Sequence, residues 1–443
     1  MKSGCQSLFF LNIKVLDFKN IIVIIHLPME PKTLTFIMAG GKGERLHPLT
    51  RDRVKPAVPF GGTYRIVDFT LSNCLNSGLR QVYVLVQYKC MSLLRHLKMA
   101  WGFFDRRVGE FIDIVPAQQR VGETWYLGTA DAIYQNIYSI KQEKPDLVMI
   151  LAGDHIYKMD YSKMLAWHVE KGAEVTVGAF EVPKQRAHEL GIMAIDRNER
   201  IVGFQEKPKE PASLPDKPDA CLASMGIYVF NSARLQEILT EDAKQHGSTH
   251  DFGKDIIPKL VAEKENIFAY RFVDENRGEQ AYWRDIGTID AYWEANIDLI
   301  SVSPQFNLYD KLWPIHTYTE RHMPAKTVFA QEYKGGRLGV ALDSLVSPGC
   351  IISGGRVEKS VLSPEVRINS YAEVSESVIM ENAEIGRWAK IRRAIIDKNV
   401  YVSPGTVIGY DLGKDRQKFT VSDNGIVVVP KETRIGEDSE SEG

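Results

Sequence analysis

The stretch Ala39-Gly40-Gly41-Lys42-Gly43-Glu44-Arg45-Leu46-His47-Pro48-Leu49-Thr50, closely followed by Lys55-Pro56, decides how this chain is read. Just ahead of it, Leu34-Thr35-Phe36-Ile37-Met38 is a short apolar run with the pattern of a buried first strand. A strand that opens into glycines leaves backbone N–H groups bare where only a ligand can meet them. Gly40, Gly41 and Gly43 let the chain turn tightly and let a phosphate approach closely. Arg45 and Lys55 add fixed positive charge beside that cradle, which suits a triphosphate. The string is not a Walker loop, because Gly43 is followed by Glu44 rather than by Lys and Ser or Thr.

A chain of 443 residues accommodates two or three domains, and 44% hydrophobic with 25% charged residues is ordinary for a soluble globular protein. A net charge of −2 argues against a nucleic-acid or anionic-membrane partner. Cys5, Cys74, Cys90, Cys221 and Cys350 are odd in number, scattered and without C-x-x-C spacing. That usage opposes a disulfide framework or a zinc site and fits a reducing cytoplasm. Near the N-terminus, apolar runs at 8–11 and 21–27 are interrupted by Lys14, Asp17 and Lys19. Neither approaches the roughly 20 residues that span a bilayer. The glycine-turn string and its strand begin only a few residues beyond Met29, so 1–30 is expected to be an N-terminal extension whose residues 1–28 lie upstream of an expected start at Met29.

From 31 to 300, short β-branched runs alternate with helical spacing, the pattern of an α/β sheet. Strands are predicted at 34–38, 81–86, 147–151, 174–180 and 225–230, and helices at 68–76 and 129–140. Pro304, Pro314 and Pro324 punctuate a predicted linker over 301–335. Within 336–432 the character changes. Ile351, Val357, Leu362, Ile368, Val374, Ile379, Ile385, Ile391, Ile396, Val402 and Ile408 recur at steps of five or six, as a three-sided parallel β-helix requires. Gly386, Gly405 and Gly409 are expected to turn its corners. Residues 433–443 form an acidic tail.

Val148-Met149-Ile150-Leu151-Ala152-Gly153-Asp154-His155 reads as a buried strand delivering an acid at its carboxyl end, where it can hold Mg²⁺ against phosphates or cap a helix. Trp283-Arg284-Asp285-Ile286-Gly287 offers a second carboxylate, and two acids can share one metal. Glu206 and Lys207, before Pro208, suit sugar hydroxyls and a monophosphate respectively, though Glu-Lys-Pro by itself reads as solvated surface. Gln118, in Pro116-Ala117-Gln118-Gln119-Arg120, can read a base edge or be exposed surface, and Trp125 and Tyr126 offer an aromatic pair near the glycine loop or belong to the core. His155, His168 and His246 lack metal-ligand spacing and read as structural or solvated. A Gly-x-Ser-x-Gly elbow is absent, so hydrolase chemistry finds no support.

With these strings in hand, the chain resembles the sugar-1-phosphate nucleotidyltransferases, and among them the bacterial glucose-1-phosphate adenylyltransferases. The resemblance runs from about Thr33 to Pro430 and includes Lys55-Pro56-Ala57-Val58-Pro59-Phe60-Gly61-Gly62, Arg65-Ile66-Val67-Asp68-Phe69, Ala223-Ser224-Met225-Gly226 and His250-Asp251-Phe252-Gly253-Lys254-Asp255. It implies a Rossmann-like (GT-A-like) catalytic domain followed by a left-handed parallel β-helix. It implies glucose 1-phosphate contacts at Tyr126, Gly191, Glu206, Lys207 and Ser224, Mg²⁺ at Asp154 and Asp285, and ATP phosphates at Arg45 and Lys55. Gln87, Trp125, Arg53 and Arg65 match regulatory positions, so anionic effectors are expected, as is a homotetramer. Asp52 and Pro59 depart from the lysine and histidine of fructose-bisphosphate-activated and AMP-inhibited members, which puts effector identity in doubt. Competing readings are a different nucleotide–sugar pair, a non-catalytic regulatory subunit, and an acyltransferase use of the β-helix. The last is opposed by the absence of histidine from 345–410.

Overall fold

The computed structural model describes residues 11–18, 21–28, 31–118, 125–214, 217–274, 279–280 and 282–436. The extension expected at 1–30 holds two strands, Leu11–Phe18 and Ile21–Pro28, which pair antiparallel with one another. Gln119 and Arg120 of the glutamine string, Cys5 and the end of the acidic tail lie outside the described residues.

One mixed sheet organises the first domain. Across it run Ile201–Glu206, Gly191–Ile195, Ala220–Asn231, Leu147–Ala152, Thr33–Met38, Gln81–Val86 and Phe111–Pro116. Thr33–Met38 is central and parallel to both neighbours. Ala220–Asn231 reverses the direction against Leu147–Ala152 and also pairs with Val175–Pro183, which carries Ile267–Arg271 beyond it. Alternation along the strands feeds two cores. Ile37, Val84 and Met149 pack under the helices Ile66–Asn76, Met91–Ala100 and Tyr161–Glu170. Phe36, Leu85 and Ile150 face Ala130, Ile140, Leu235 and Leu260 on the other side. The helix expected at 129–140 is two helices, Thr129–Tyr134 and Ile137–Glu143. The break falls at Asn136, whose φ of −106° and ψ of 15° leave the helical region.

The second domain is a three-sided coil whose faces hold six, five and six strands. Its interior ladders are Ile352–Ile368–Ile385–Val402, Val357–Val374–Ile391–Ile408 and Leu362–Ile379–Ile396–Val429, each a column of buried aliphatics one coil apart. Ile352, not Ile351, fills the first place: Ile352 pairs with Ile368 and is fully buried, which turns its neighbour outward. Most corners are turned by non-glycine residues at positive φ, among them Glu365, Tyr371, Glu376, Asn382, Trp388, Arg393 and Asn399. Gly405 and Gly409 share that conformation. Gly386 does not; its hydrogen side chain is needed because a Cβ would meet the Val402 carbonyl oxygen at 2.5 Å in the next coil. The coil starts at Lys326–Val328, inside the expected linker, because that segment pairs with Ile351–Ser353. At the other end Arg434–Ile435 pairs with Tyr401–Val402.

One coil face is apolar on both sides. Val361, Val378, Ile395 and Val428 point outward and pack with Phe60, Phe69, Tyr292 and Phe306 of the first domain. This joins the domains through a shared core rather than a loose tether. Trp293 Nε1 donates to the Glu376 carbonyl at 2.8 Å across the same junction.

Candidate active site

At the carboxyl end of Thr33–Met38 the chain leaves the sheet with Ala39 N bonded to the Leu85 carbonyl at 2.9 Å, and then enters the glycine turn. Gly43 takes φ 64° and ψ 33° and leads into a single 3-10 turn, Glu44–Leu46. Thr50 Oγ1 donates to the Gly43 carbonyl at 2.9 Å and holds the loop closed. A Cβ on Gly41 would meet nothing within 4 Å, so its backbone is open to an incoming group. A Cβ on Gly40 would lie 3.2 Å from Gln87 Cβ, and Gln87 Oε1 accepts from Tyr126 N at 3.0 Å. Trp125 stacks on Tyr88 with centroids 5.5 Å apart.

Two carboxylates converge beside this loop. Asp154 follows the strand Leu147–Ala152, and Asp285 ends Trp283–Asp285, which pairs with His155–Tyr157 so that Asp285 lies opposite His155. Lys55 Nζ donates to Asp154 Oδ2 at 2.9 Å and to Asp285 Oδ1 at 2.6 Å. The Lys55 side chain is only 9% exposed, and each carboxylate is 33% exposed. Burial pulls the ammonium's pKa down, but Asp154 and then Asp285 outweigh it and leave it above the usual lysine value. Burial pushes the Asp154 carboxyl up, yet Lys55 and then His155 bring it to about 2. His155 Nε2 stands 3.5 Å from Asp154 Oδ1 and its ring meets Trp283 edge-on at 4.8 Å. Arg45 completes the edge: a Cβ on Gly287 would lie 3.1 Å from its guanidinium and 3.2 Å from Asp285 Oδ2.

Behind the carboxylates lies a cavity of about 260 Å³ lined by Gly191, Glu206, Ser224, Thr129, Asp251, Gly253, His155, Trp283 and Asp285 among others. Of the five expected sugar-phosphate residues, Gly191, Glu206 and Ser224 thus line one cavity, while Tyr126 and Lys207 lie outside its lining. The Tyr126 hydroxyl accepts from Asn136 Nδ2 at 3.0 Å, and Lys207 stands at φ 48° with a largely exposed ammonium. Gly191 is required: a Cβ there would strike Phe204 Cζ at 2.7 Å and Glu206 Oε2 at 3.0 Å. Burial raises the Glu206 carboxyl, Lys207 and Lys254 draw it back, and Asp251 adds to the rise. Gln118 is exposed beyond the end of Phe111–Pro116.

A family model described as Nucleotidyl transferase matches residues 34–301, and one described as GlmU-like, C-terminal hexapeptide matches 323–429. Curated relatives named glucose-1-phosphate adenylyltransferase include one from Rhodopirellula baltica, 54% identical over 92% of this chain and 91% of its own length. Those from Koribacter versatilis and Methylococcus capsulatus are 52% and 55% identical over 92% and 90% of this chain, and over 97% and 93% of their own lengths. The chain belongs to the glucose-1-phosphate adenylyltransferase family. As a member of it, the chain carries the family's α/β nucleotidyltransferase domain followed by a left-handed parallel β-helix of hexapeptide type.

This family member also holds a larger cleft, about 500 Å³, between its two domains. Arg53, Arg65, Arg95, Lys398 and Lys431 line it together with Asp52, Glu320 and Glu381. Arg53 makes a buried ion pair with Asp397 at 2.6 Å, and Lys398 bonds Glu381. Burial and the neighbouring Arg53 lower the Arg65 guanidinium, whose Nη1 donates to the Ala57 carbonyl at 2.7 Å and Ser92 Oγ at 3.2 Å. Asp52 and Pro59, the two departures seen in the sequence, both line this cleft, and Arg51 bonds Asp52 at 2.9 Å.

Sequence reasoning set His155 aside and gave no role to Thr129 or Asp251. Thr129 Oγ1 donates to Asp251 Oδ2 at 3.1 Å, and Asp251 Oδ1 accepts from Gly253 N at 2.9 Å, which builds the cavity floor. The signal for Asp251 was its place in the matched His250–Asp255 string. For His155 no spacing rule exists, since its partner is 130 residues away in a paired strand.

Proposed function

We propose that the chain transfers the adenylyl group of ATP to α-D-glucose 1-phosphate, giving ADP-glucose and pyrophosphate. The observation that carries this is Lys55 bridging Asp154 and Asp285 where the open glycine turn meets the Gly191–Glu206–Ser224 cavity. A cationic edge for a triphosphate and a pocket for a sugar phosphate thus share one pair of acids. A phosphate oxygen of the sugar phosphate attacks the α-phosphorus in line, a new P–O bond forms, and the bond to pyrophosphate breaks. No covalent enzyme intermediate is needed. Gly40, Gly41 and Gly43 present backbone N–H groups to the triphosphate, and Arg45 and Lys55 neutralise charge on the oxygens that gain it. Gln118 reads the adenine edge. Gly191 leaves room for the sugar, Glu206 and Ser224 hold its hydroxyls, and Tyr126 and Lys207 close on it from outside the cavity.

The donor set fits a divalent ion: ligand atoms of Asp154, His155 and Asp285 lie within 4.8 Å of one another, and carboxylate oxygens suit Mg²⁺. Asp154 and Asp285 would hold Mg²⁺, which when bound supplies charge stabilisation between the reacting phosphates.

The inter-domain cleft takes an anionic effector on Arg65, Arg95 and Lys398, with Arg53 behind them held by Asp397. The hydrogen bond from Tyr126 N to Gln87, which also abuts Gly40, with Trp125 on Tyr88, links that control to the site. We further place the enzyme in the cytoplasm as a homotetramer that supplies the glucosyl donor for glycogen. Among the described residues no helix is long and apolar enough to cross a membrane.

The test is pyrophosphate release with Mg²⁺ across four nucleoside triphosphates and several sugar 1-phosphates. Strong preference for ATP with glucose 1-phosphate is expected. Preference for another pair changes the substrate, and silence from folded protein with effectors included points to a regulatory subunit.

A further inference from the structure

We propose that in the free protein Lys55 is the resident counter-ion of the Asp154–Asp285 pair, and that a divalent ion enters only as a triphosphate draws Lys55 away. The inference rests on the reading above that these two carboxylates hold a divalent ion. One ammonium makes hydrogen bonds to one oxygen of each acid, at 2.9 and 2.6 Å. It therefore does between the carboxylates what a shared metal would do: it bridges them and cancels part of their repulsion. Because Lys55 is nearly buried, solvent screens little of its charge. A divalent ion added to the same carboxylates meets an unscreened like charge a few ångströms away.

The stem of Lys55 shows how the site can change hands. Its backbone is pinned in the 3-10 turn Lys55–Ala57, where Val58 N bonds the Lys55 carbonyl at 3.0 Å. Its Cβ lies against the glycine turn, 3.3 Å from where a Cβ of Gly43 would stand. The ammonium can thus swing from the carboxylates towards phosphates seated on that turn with no backbone movement, using only the flexible four-carbon stem. A triphosphate brings the negative charge that attracts Lys55 and the ion that replaces it. Metal and nucleotide binding are then coupled, each weak without the other.

The experiment titrates Mn²⁺ into the full chain without nucleotide, read by the EPR signal of free ion, and with α,β-methylene-ATP, read as Mn²⁺ retained with the protein on ultrafiltration, through which the free metal–analogue complex passes. The wild type alone is expected to leave Mn²⁺ largely free. Lys55→Gln should bind one equivalent at least roughly tenfold more tightly without nucleotide, because the competing charge is gone. Adding Asp154→Asn to Lys55→Gln should abolish that gain. Equal affinity of wild type and Lys55→Gln without nucleotide overturns the proposal while leaving the carboxylate pair as a metal site. A gain that survives Asp154→Asn also overturns it. Absence of binding in both proteins, even with the analogue, removes the metal reading itself. A measurement independent of any variant follows the wild-type melting temperature. Mn²⁺ alone should not shift it, and Mn²⁺ with the analogue should raise it beyond the analogue alone. A rise with Mn²⁺ alone at the same concentration overturns the proposal.

Discussion

The catalytic edge and the inter-domain cleft solve opposite versions of one electrostatic problem. At the edge, one ammonium bridges two carboxylates, and a divalent ion can take its place once the ammonium leaves. In the cleft, five basic side chains face three acidic ones, and the most buried cation, Arg53, is already claimed by Asp397. The first region is poised for a cation and the second for an anion. The fixed charges also differ in mobility. Lys55 sits on a flexible stem beside an open loop, whereas Arg53 and Asp397 are 4% and 2% exposed and locked between domains. The edge is built to exchange partners, while the Arg53 pair is built to keep them.

The largest test breaks the acidic side of that comparison. Asp154→Asn should lose about a thousandfold in kcat with the circular-dichroism spectrum unchanged, because the charge that organises Lys55 is halved. Near-normal turnover would take Asp154 out of the mechanism. The same pair has a pH signature. The folded Asp154 carboxyl lies near 2, below its ordinary 3.8, so the folded state binds fewer protons than the unfolded one. Its contribution to stability is complete above about pH 4 and is lost as pH falls towards 2. The urea-unfolding difference between wild type and Asp154→Asn should therefore shrink on acidification through that range.

Next comes the locked pair. Asp397→Ala leaves a buried guanidinium without its partner and should destabilise the protein by about 3–5 kcal/mol. Adding Arg53→Met should recover much of that loss in urea unfolding, since removing both charges is far cheaper than stranding one. A single variant as stable as wild type would mean that the buried ion pair adds nothing to the junction.

How far these features were legible follows from how they are encoded. The coil was readable because each of its residues answers to a neighbour a fixed number of positions away, as Val374 answers to Val357 and Ile391. The slip at Ile351 for Ile352 is a parity error of the kind that period alone cannot resolve, while the corner role of Gly386 and the coil's start inside the expected linker were misread as well. Five strands of the nine-stranded sheet were legible as apolar runs, but Phe111–Pro116, Gly191–Ile195 and Ile267–Arg271 were not, nor was the break at Asn136, which depends on local geometry. Asp154 was legible as an acid at a strand's carboxyl end, with metal and cap readings both open, and the matched motifs decided between them. Asp154 and Asp285 are far apart in sequence, and what joins them is the pairing of His155–Tyr157 with Trp283–Asp285. Asp397 carried no sequence signal at all, because its meaning depends on which face of the coil meets Arg53.

A smaller effect tests the coil by itself. Ile385 is fully buried between Ile368 and Val402, so Ile385→Val should cost about 0.5–1.5 kcal/mol in urea unfolding and leave turnover unchanged. A change in turnover would show that packing within the coil reaches the catalytic edge.

The smallest effect sharpens the cleft's side of the comparison. Asp52 and Arg51 form a half-exposed pair, so Asp52→Asn should alter stability by less than about 1 kcal/mol. Its value lies in charge rather than in stability. Removing one of the three carboxylates that line the cleft leaves its basic side chains less compensated. An anionic effector should then act at a concentration roughly two- to fivefold lower, the gain expected from one partly screened charge. The measurement is the half-maximal concentration of inorganic phosphate or a sugar bisphosphate on turnover, at low and high salt. The shift should fade as salt rises, because the Asp52 charge is open to solvent while Arg53 is not. A shift unchanged by salt would mean that Asp52 acts through the shape of the cleft and not through its charge.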